Sequence, residues 1–290
     1  MPPDVGLLAS LEVYGDTYLV DGEVEETDGT DIPQRWVGGY RYLPEQYAAR
    51  TGALDPCALQ SATEFMDVPA SPGLVEVMPY VVWAGDRCSA IGFPAHDYQG
   101  RAQRALEASE SFQIAHELWT GKQARASGWP NPYLASAAAI VMTAAPVASA
   151  TALALLEQGL AETSNGQRAM IHCTREMGSA LSELGNTFRS VNGLIITYMG
   201  TIICPDAGYP GTGPAGQPNV DGSQWAYATL MPTVRRSPIE ILPETFEEAT
   251  DRSVNEIDWR SLRYATAVFP PGPLVAVQVN LPAPLGVGAS

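Results

Sequence analysis

The sequence has few charged residues, and almost none of its bases is lysine. Charged residues make up 17% of the 290 positions, whereas an average soluble domain has about a quarter. Lys122 is the single lysine, and every other basic residue is an arginine. The net charge is −16, because 32 acids outnumber 16 bases. Nucleic-acid binding requires a basic face, so this balance argues against DNA or RNA as the main partner.

Long hydrophobic runs are also missing. The most apolar stretch, residues 134–145, is rich in alanine and is closed by Pro146, whereas a membrane span needs about 20 apolar residues. The first ten residues have neither the basic region nor the apolar run of a secretory signal peptide. We therefore expect a soluble protein that is made inside the cell.

Cysteine and histidine are too scarce and too widely spaced to indicate a site. The four cysteines contain no CxxC pair, so neither a zinc cage nor a disulfide framework is predicted. His172 and Cys173 are neighbours on a predicted strand and point to opposite faces, which argues against a catalytic pair. His96 is predicted in a turn and His116 as a packed or capping residue. The sequence predicts no catalytic, cofactor-binding or metal-binding residue.

One glycine-rich segment formally matches a dinucleotide-binding motif. Residues 211–216 read GxGxxG, but that motif must end a strand and open a helix. Pro214 and Pro218 follow instead, and no helical pattern begins. We therefore predict no cofactor, and we interpret residues 205–224 as a flexible surface or inter-subunit loop.

The first third of the chain is predicted to be extended. Residues 1–32 show no helical period, and Glu12 to Asp31 holds eight acids and no base. Such a block is usually a solvated segment, and the alternative is a segment that orders only against a partner. Strand-forming residues at 35–42 and 74–83 then flank an irregular tip, which indicates a projecting β-loop.

A long helix is the clearest single element. Asp97 is a candidate N-cap, Arg101 to Thr120 has helical periodicity, and Gly121 is a candidate stop. Apolar or small residues recur along one face at spacings of three and four: Ala102, Ala105, Leu106, Ser109, Phe112, Ala115 and Trp119. This stripe predicts that Phe112 and Trp119 are both packed in the core.

The rest of the chain alternates helices and strands and then becomes rich in strands. Helix, strand, helix and strand patterns follow one another from Pro146 to about Tyr198, which indicates a small α/β unit. Strand patterns then dominate residues 225–281. The sequence as a whole predicts an α+β fold.

The order of these parts resembles the Hong Kong 97-type (HK97-like) shell fold, which tailed-phage major capsid proteins share with encapsulins. Asp97 to Gly121 is similar to the spine helix of that family, and Asn131 to Leu134 resembles the loop after it. Residues 152–181 are similar to the opening of the axial domain. Residues 267–277 look like the closing hairpin of the peripheral domain.

The resemblance implies five segments. They are an N-terminal arm (1–32), an extended β-loop or E-loop (33–96), the spine helix with the start of the peripheral domain (97–145), the axial domain (146–232) and the peripheral return strands (233–290). In this fold the arm and the E-loop lie over neighbouring subunits, and axial domains surround the five-fold and six-fold axes.

The implied function is that of a self-assembling, non-enzymatic subunit of an icosahedral bacteriophage capsid. Its partners would be copies of itself in pentamers and hexamers, a portal, decoration proteins and a separate scaffolding protein if any. The DNA genome would be enclosed but not specifically bound, no membrane would be involved, and the chain would reside in the virion after synthesis in the bacterial cytoplasm. The alternatives are an encapsulin-type compartment, a minor virion protein (penton, decoration or tail) and an unrelated α/β enzyme.

Covalent cross-linking between subunits is not expected. Some members of the family join a lysine on the E-loop to an asparagine of a neighbour, but residues 33–95 contain no lysine. Cys57 and Cys88 both lie on the predicted E-loop, and a cytosolic origin favours their thiol forms. Whether these two cysteines pair is left open by the sequence.

Overall fold

Two large β-sheets and one long helix packed against them form most of the described part of the chain. The computed structural model describes residues 6–14, 19–21, 35–42, 73–89, 97–164, 167, 169–182, 184, 188–191, 193–220 and 222–281. Its helices are α1 (Leu7–Tyr14), α2 (Arg35–Gly38), α3 (Tyr98–Thr120), α4 (Lys122–Ser127), α5 (Ser149–Ser164), α6 (Arg175–Ser182) and α7 (Phe246–Ala249). None of the helices in these ranges combines the length and hydropathy that crossing a bilayer demands.

The strands fall into a six-stranded sheet, an eight-stranded sheet and a separate two-stranded ladder. In chain order they are β1 (Leu19–Asp21), β2 (Tyr40–Tyr42), β3 (Val75–Val77), β4 (Tyr80–Ser89), β5 (Ile140–Val141), β6 (Val147–Ala148), β7 (Ala169–Thr174), β8 (Phe188–Val191), β9 (Leu194–Thr197), β10 (Ile202–Asp206), β11 (Ser223–Leu230), β12 (Thr233–Arg236), β13 (Glu240–Leu242), β14 (Thr250–Asp251), β15 (Glu256–Val268) and β16 (Val275–Asn280).

The smaller sheet is built around β15. Strand β4 pairs antiparallel with β15 over its whole length, from Tyr80 opposite Ala265 to Ser89 opposite Glu256. On the other side, β12, β13 and β14 pair with successive parts of β15. Helix α3 covers one face of this sheet, where Ala102 packs with Trp259. The other face is left uncovered by the described part of the chain.

The larger sheet has the order β5-β16-β11-β7-β10-β9-β8, and β6 pairs with β16. Helix α5 covers one face, with Leu156 in the same buried cluster as Val275 and Val277. Ala276 faces the other way, into the cluster that contains the end of α3. The resemblance implies that β16 is one of the peripheral return strands of residues 233–290, whereas in the structure β16 pairs with β11 of the larger sheet. Its apolar run is explained by burial on both faces of the sheet.

The predicted caps of the long helix are confirmed, although α3 begins three residues earlier than expected, at Tyr98. The carboxylate of Asp97 accepts a hydrogen bond from the Gly100 backbone N–H at 2.9 Å. Gly121 adopts a left-handed conformation with φ of 55°, and the ring of Tyr133 lies within 2.4 Å of where a side chain at position 121 would begin. Glycine is therefore needed both for the turn and for the close approach of Tyr133.

The predicted stripe on this helix is wrong at Phe112, which is 44% exposed. Trp119 is fully buried as predicted, and so are Ala102, Leu106 and Ala115. Between them the buried face is completed by Glu110 and Ile114, whereas the prediction had Ser109 and Phe112 there. A pattern of apolar and small residues passes over Glu110 because its side chain is charged.

The orientation of α3 determines which substitution on this helix should destabilise the protein. Ile114→Ala should lower the free energy of unfolding by about 2–5 kcal/mol, because it empties a fully buried site. Phe112→Ala should lower it by no more than about 0.5 kcal/mol, as is usual for exposed positions. Urea unfolding of the two variants measures both values, and a larger loss from Phe112→Ala would contradict the observed orientation of α3.

The prediction of an extended N-terminal arm without helix is also wrong where the structure describes it. Residues Leu7–Tyr14 form α1, whose Leu7, Leu8 and Leu11 are buried in the main core cluster. Strand β1 then pairs in parallel with β12. Three leucines in five residues are enough to fill a gap in the core, although the segment is too short to show a helical period. Most of the acidic block, from residue 22 to 31, lies outside the described residues.

The base of the predicted β-loop is present as a short ladder, although the strand predicted over residues 35–42 is wrong in its first half, where Arg35–Gly38 forms α2. Strand β2 pairs antiparallel with β3, which brings Tyr40 opposite Val77. Asn131 fastens the bend that follows β3, because its side-chain amide accepts a hydrogen bond from Met78 N–H at 2.8 Å and donates one to Met78 O at 2.6 Å. The tip at residues 43–72 lies outside the described part of the chain, so the E-loop stays a prediction.

Candidate assembly surfaces and the buried groups that position them

A buried ionic cluster joins α3 to the smaller sheet. The Glu110 carboxylate accepts hydrogen bonds from Arg236 Nη1 at 2.6 Å and from Arg263 Nη1 at 3.0 Å. All three side chains are about 90% buried or more. Arg263 also donates from Nε to the Ser237 carbonyl at 2.9 Å. A buried charge needs such partners, so the cluster sets the position of the helix along β12 and β15.

Two further carboxylates hold helix ends. Asp206, at the end of β10, accepts a hydrogen bond from the backbone N–H of Leu7 at 2.7 Å and another from Gly208 N–H at 2.7 Å. Glu117 accepts from Gln123 N–H at 2.9 Å and from Ala124 N–H at 3.0 Å, which caps α4. Carboxylates at these positions satisfy backbone donors that a helix start leaves unpaired.

His172 lies in a closed chain of hydrogen bonds inside the larger sheet. Its Nε2 is 3.0 Å from the hydroxyl of Thr229, which itself donates to the Leu230 carbonyl at 2.7 Å. Thr229 must therefore accept from Nε2–H, which leaves Nδ1 to accept from the Tyr209 hydroxyl at 2.9 Å. The imidazole is fully buried, and this burial lowers the pKa of His172 to about 3. It is a neutral structural group, held in one tautomer.

Acid should destabilise the protein through His172. Below about pH 6.5 the unfolded chain holds a proton on His172, whereas the folded chain takes up this proton only near pH 3. Acidification therefore favours the unfolded state. The free energy of unfolding should fall by about 1.4 kcal/mol per pH unit from this residue between pH 6.5 and 3. Comparing pH-dependent unfolding of wild type and His172→Gln isolates the effect, with the half-buried His116→Gln as control. Parallel curves for wild type and His172→Gln would contradict it.

The other candidate residues do not form a reactive site. Cys173 and Cys204 are buried free thiols; burial raises the pKa of Cys173 to about 12 and that of Cys204 well above its usual value, so both stay protonated. His116 stacks on Phe112 at the surface of α3, while His96 and Cys57 lie outside the described residues. Within the described ranges, no three histidine, cysteine, aspartate or glutamate side chains gather as metal ligands would.

The glycine-rich segment is packed against the core, so its interpretation as a flexible surface loop is wrong for residues 205–214. Tyr209 is buried and its ring lies 5.0 Å from that of Trp119. Gly208 approaches α3 so closely that a side chain would begin 2.3 Å from the Phe112 carbonyl oxygen. The glycines therefore serve close packing. Residues 215–220, by contrast, are exposed.

Two of the exposed apolar surfaces on the described part of the chain border grooves. The first is the uncovered face of the smaller sheet, where Trp83 is 65% exposed and Val81 and Leu242 are 45% and 44% exposed. They line a groove of about 1080 Å³. Its remaining lining includes several charged residues: Glu248, Asp251, Arg252, Asp258 and Arg260.

The second surface is the turn between β9 and β10. Tyr198 is 64% exposed and Met199 is 82% exposed. The turn borders a groove of about 640 Å³ that runs along α5. Exposed apolar groups in this number are typical of surfaces that a partner covers, so both surfaces are candidates for contacts between chains.

The fold is that of known shell proteins. The chain superimposes on the capsid protein of the native GTA particle (12% identity, TM-score 0.50, covering 93% of this chain and 89% of that one). It also superimposes on the capsid of Ralstonia phage GP4, with 12% identity and a TM-score of 0.50, covering 93% of this chain and 91% of that one. A chain of Mycobacterium phage Adephagia gives 10% identity and a TM-score of 0.50, covering 98% of this chain and 93% of that one. No protein-family model and no curated protein matches the sequence.

These superpositions define the class of fold. Nearly the whole chain follows the Hong Kong 97-type arrangement, with α3 as the long helix beside a smaller and a larger sheet. The predicted α+β class and the resemblance to this fold are confirmed. At 10–12% identity the likeness defines the fold, and the function is a separate conclusion.

Proposed function

We propose that this chain is a subunit of an icosahedral bacteriophage capsid that encloses the DNA genome. The observation that carries the proposal is the superposition of 93% of the chain on the GTA and GP4 capsid chains, of which it covers 89% and 91%. The likeness therefore spans the shell-forming unit as a whole. The role that we propose is structural and non-enzymatic.

The surfaces of the single chain support assembly with copies of itself. Trp83 and Met199 lie on two different sheets, and both are mostly exposed. Their exposure is unfavourable in water and is relieved when another chain covers them. Closed symmetric assemblies repeat one contact many times, so that weak contacts suffice. The proposed units are pentamers and hexamers within one shell.

The proposed segments are those implied by the resemblance, with one change. Residues 1–32 form the arm, 33–96 the E-loop, 97–145 the long-helix region, 146–232 the axial domain and 233–290 the peripheral return. The change concerns β16, which belongs to the last segment in sequence but pairs with β11 in the larger sheet. The proposed partners outside the shell are a portal, decoration proteins and a separate scaffolding protein, and the proposed location is the virion, after synthesis in the bacterial cytoplasm.

Expression of the chain alone, followed by sedimentation and negative-stain electron microscopy, tests the proposal. We expect closed shells of a size suited to a phage genome, formed directly or once a scaffolding protein from the same genome is co-expressed. Small empty compartments would favour an encapsulin-type role instead. Monomers or short oligomers under both conditions would overturn the proposal.

Assembled shells should be held without covalent links between chains. The only side-chain amine is Lys122, and Cys173 and Cys204 are buried inside the subunit. Denaturing gels should therefore show a single band near 31 kDa with or without reductant. Ladders that reductant removes would implicate Cys57 or Cys88, and ladders that persist would implicate Lys122; either result contradicts this prediction.

A further inference from the structure

The turn between β9 and β10 is rigid although its tip is apolar and exposed. Thr197 N–H donates to the Thr201 carbonyl at 2.9 Å, and Gly200 N–H donates to the Thr197 carbonyl at 2.9 Å. Glu157 of α5 clamps the same turn, because its carboxylate accepts from the hydroxyls of Thr197 at 2.6 Å and Thr201 at 2.7 Å. Tyr198 and Met199 are therefore held outward by the fold.

A groove beside the turn continues the apolar surface. One wall is the turn itself, and the other is the exposed side of α5, where Ala154, Gln158 and Ala161 follow one another at helical spacing. Leu184 also lines the groove. We call the surface formed by Tyr198, Met199 and these groove residues the turn–groove patch.

The patch differs from the rest of the surface in its charge. Glu157 is occupied by two threonine hydroxyls, and Gln158 donates to Glu162 at 2.7 Å. The groove beside Trp83 is instead lined by five charged residues. Among the residues that line the turn–groove patch, Glu157 alone carries a full charge, and both oxygens of its carboxylate already accept hydrogen bonds within the chain. Two copies that each carry a charge of −16 repel one another, and a contact that brings few carboxylates together adds little to that repulsion.

We propose that the turn–groove patch is a contact between neighbouring copies of this chain in the shell. This proposal rests on the proposed function. Burial of Tyr198 and Met199 would remove roughly 300 Å² of side-chain surface from water, far less than the 1,200 Å² or more of a stable pairwise interface. The contact is therefore too small to hold a dimer, and it becomes effective where a closed ring repeats it.

Methionine at the tip suits this role. Its unbranched, polarizable side chain fits contacts of slightly different shape. One chain that forms both rings of five and rings of six must make the same contact at different angles. Met199 on a rigid turn supplies an adaptable group at a fixed position, which a β-branched residue could not do.

The test introduces charge on either side of the contact. Met199→Asp changes the turn, and Ala161→Arg changes the groove; both positions are exposed, so neither variant should alter thermal melting of the free subunit. We expect each to reduce the fraction of protein in sedimenting shells at least about tenfold, because each adds a charge that the contact would have to remove from water. The control is Val220→Asp, which places a negative charge on another exposed apolar residue (58% exposed). Val220 precedes β11 and is not among the residues that line the patch.

The outcomes separate this inference from the proposed function. Failure of the wild-type chain to form shells would overturn the proposed function and this inference with it. Wild-type shells together with normal shells from Met199→Asp and Ala161→Arg would overturn the inference alone. Loss of shells in Val220→Asp as well would show that any added surface charge blocks assembly, and the assignment to this patch would fail. Loss in the two patch variants only, with unchanged melting, would support it.

Discussion

Replacing Leu7 and Leu11 together with alanine should leave most of the chain unfolded. Both side chains are 0% exposed within the main core cluster, and each truncation costs about 2–5 kcal/mol at such a site. Their sum approaches the 5–15 kcal/mol that is the whole stability of a typical domain. Circular dichroism should show loss of the cooperative melting transition, or a transition far below that of wild type.

The matched control lies on the same helix. Glu12 and Val13 are exposed, so replacing both with alanine should change melting very little. If the Leu7/Leu11 variant melted like this control, α1 would not be part of the core. Residues 1–32 would then be the extended segment that their lack of a helical period predicts.

Glu110→Gln should be the most damaging change on the long helix that leaves side-chain size unchanged. The substitution removes the carboxylate that neutralises Arg236 and Arg263, both about 90% buried. Breaking a buried ionic group by removal of one member costs about 3–5 kcal/mol, because the two arginines stay buried without the negative charge that offsets part of theirs. Chemical denaturation of the purified subunit measures the loss.

Glu107→Gln is the control for this experiment. Glu107 is on the same helix, exposed, and bonded only to the amide of Gln103 in the described structure, at 2.9 Å. Its neutralisation should change stability by no more than about 0.5 kcal/mol. Equal stability of the two variants would mean that the Glu110 cluster does not hold α3 on the smaller sheet.

The sequence predicted the order of elements well because that order depends on local signals. Asp97 and Gly121 mark the ends of α3 through cap chemistry that involves only neighbouring residues. Alternating valines predicted β16 as a strand for the same reason. The pairing of β16 with β11 was not predicted, because strand pairing depends on contacts between residues far apart in sequence.

The buried charges explain the other errors. Glu110 lies at the centre of the helix face that packs on the sheet, and a periodicity that counts only apolar or small residues therefore passed over it and included the exposed Phe112. The two arginines that make its burial possible are more than 120 residues away. A paired charge of this kind is visible only when the fold brings its partners together.

The assembly surfaces could not be predicted from the sequence. Tyr198 and Met199 end a strand pattern, and nothing local distinguishes an exposed apolar pair from a buried one. Glu157 fixes their turn from another helix. The resemblance to the shell fold was found through the order of elements, whereas the particular surfaces needed the folded chain.

A cryo-electron microscopy map of the particles formed by the purified chain tests the proposed capsid function most directly. We expect a closed icosahedral shell in which copies of the chain form rings of five and six. Each copy should have α3 beside its two sheets and Met199 in contact with a neighbouring copy. Particles without closed symmetry, or a closed shell in which Met199 faces solvent in every copy, would contradict it.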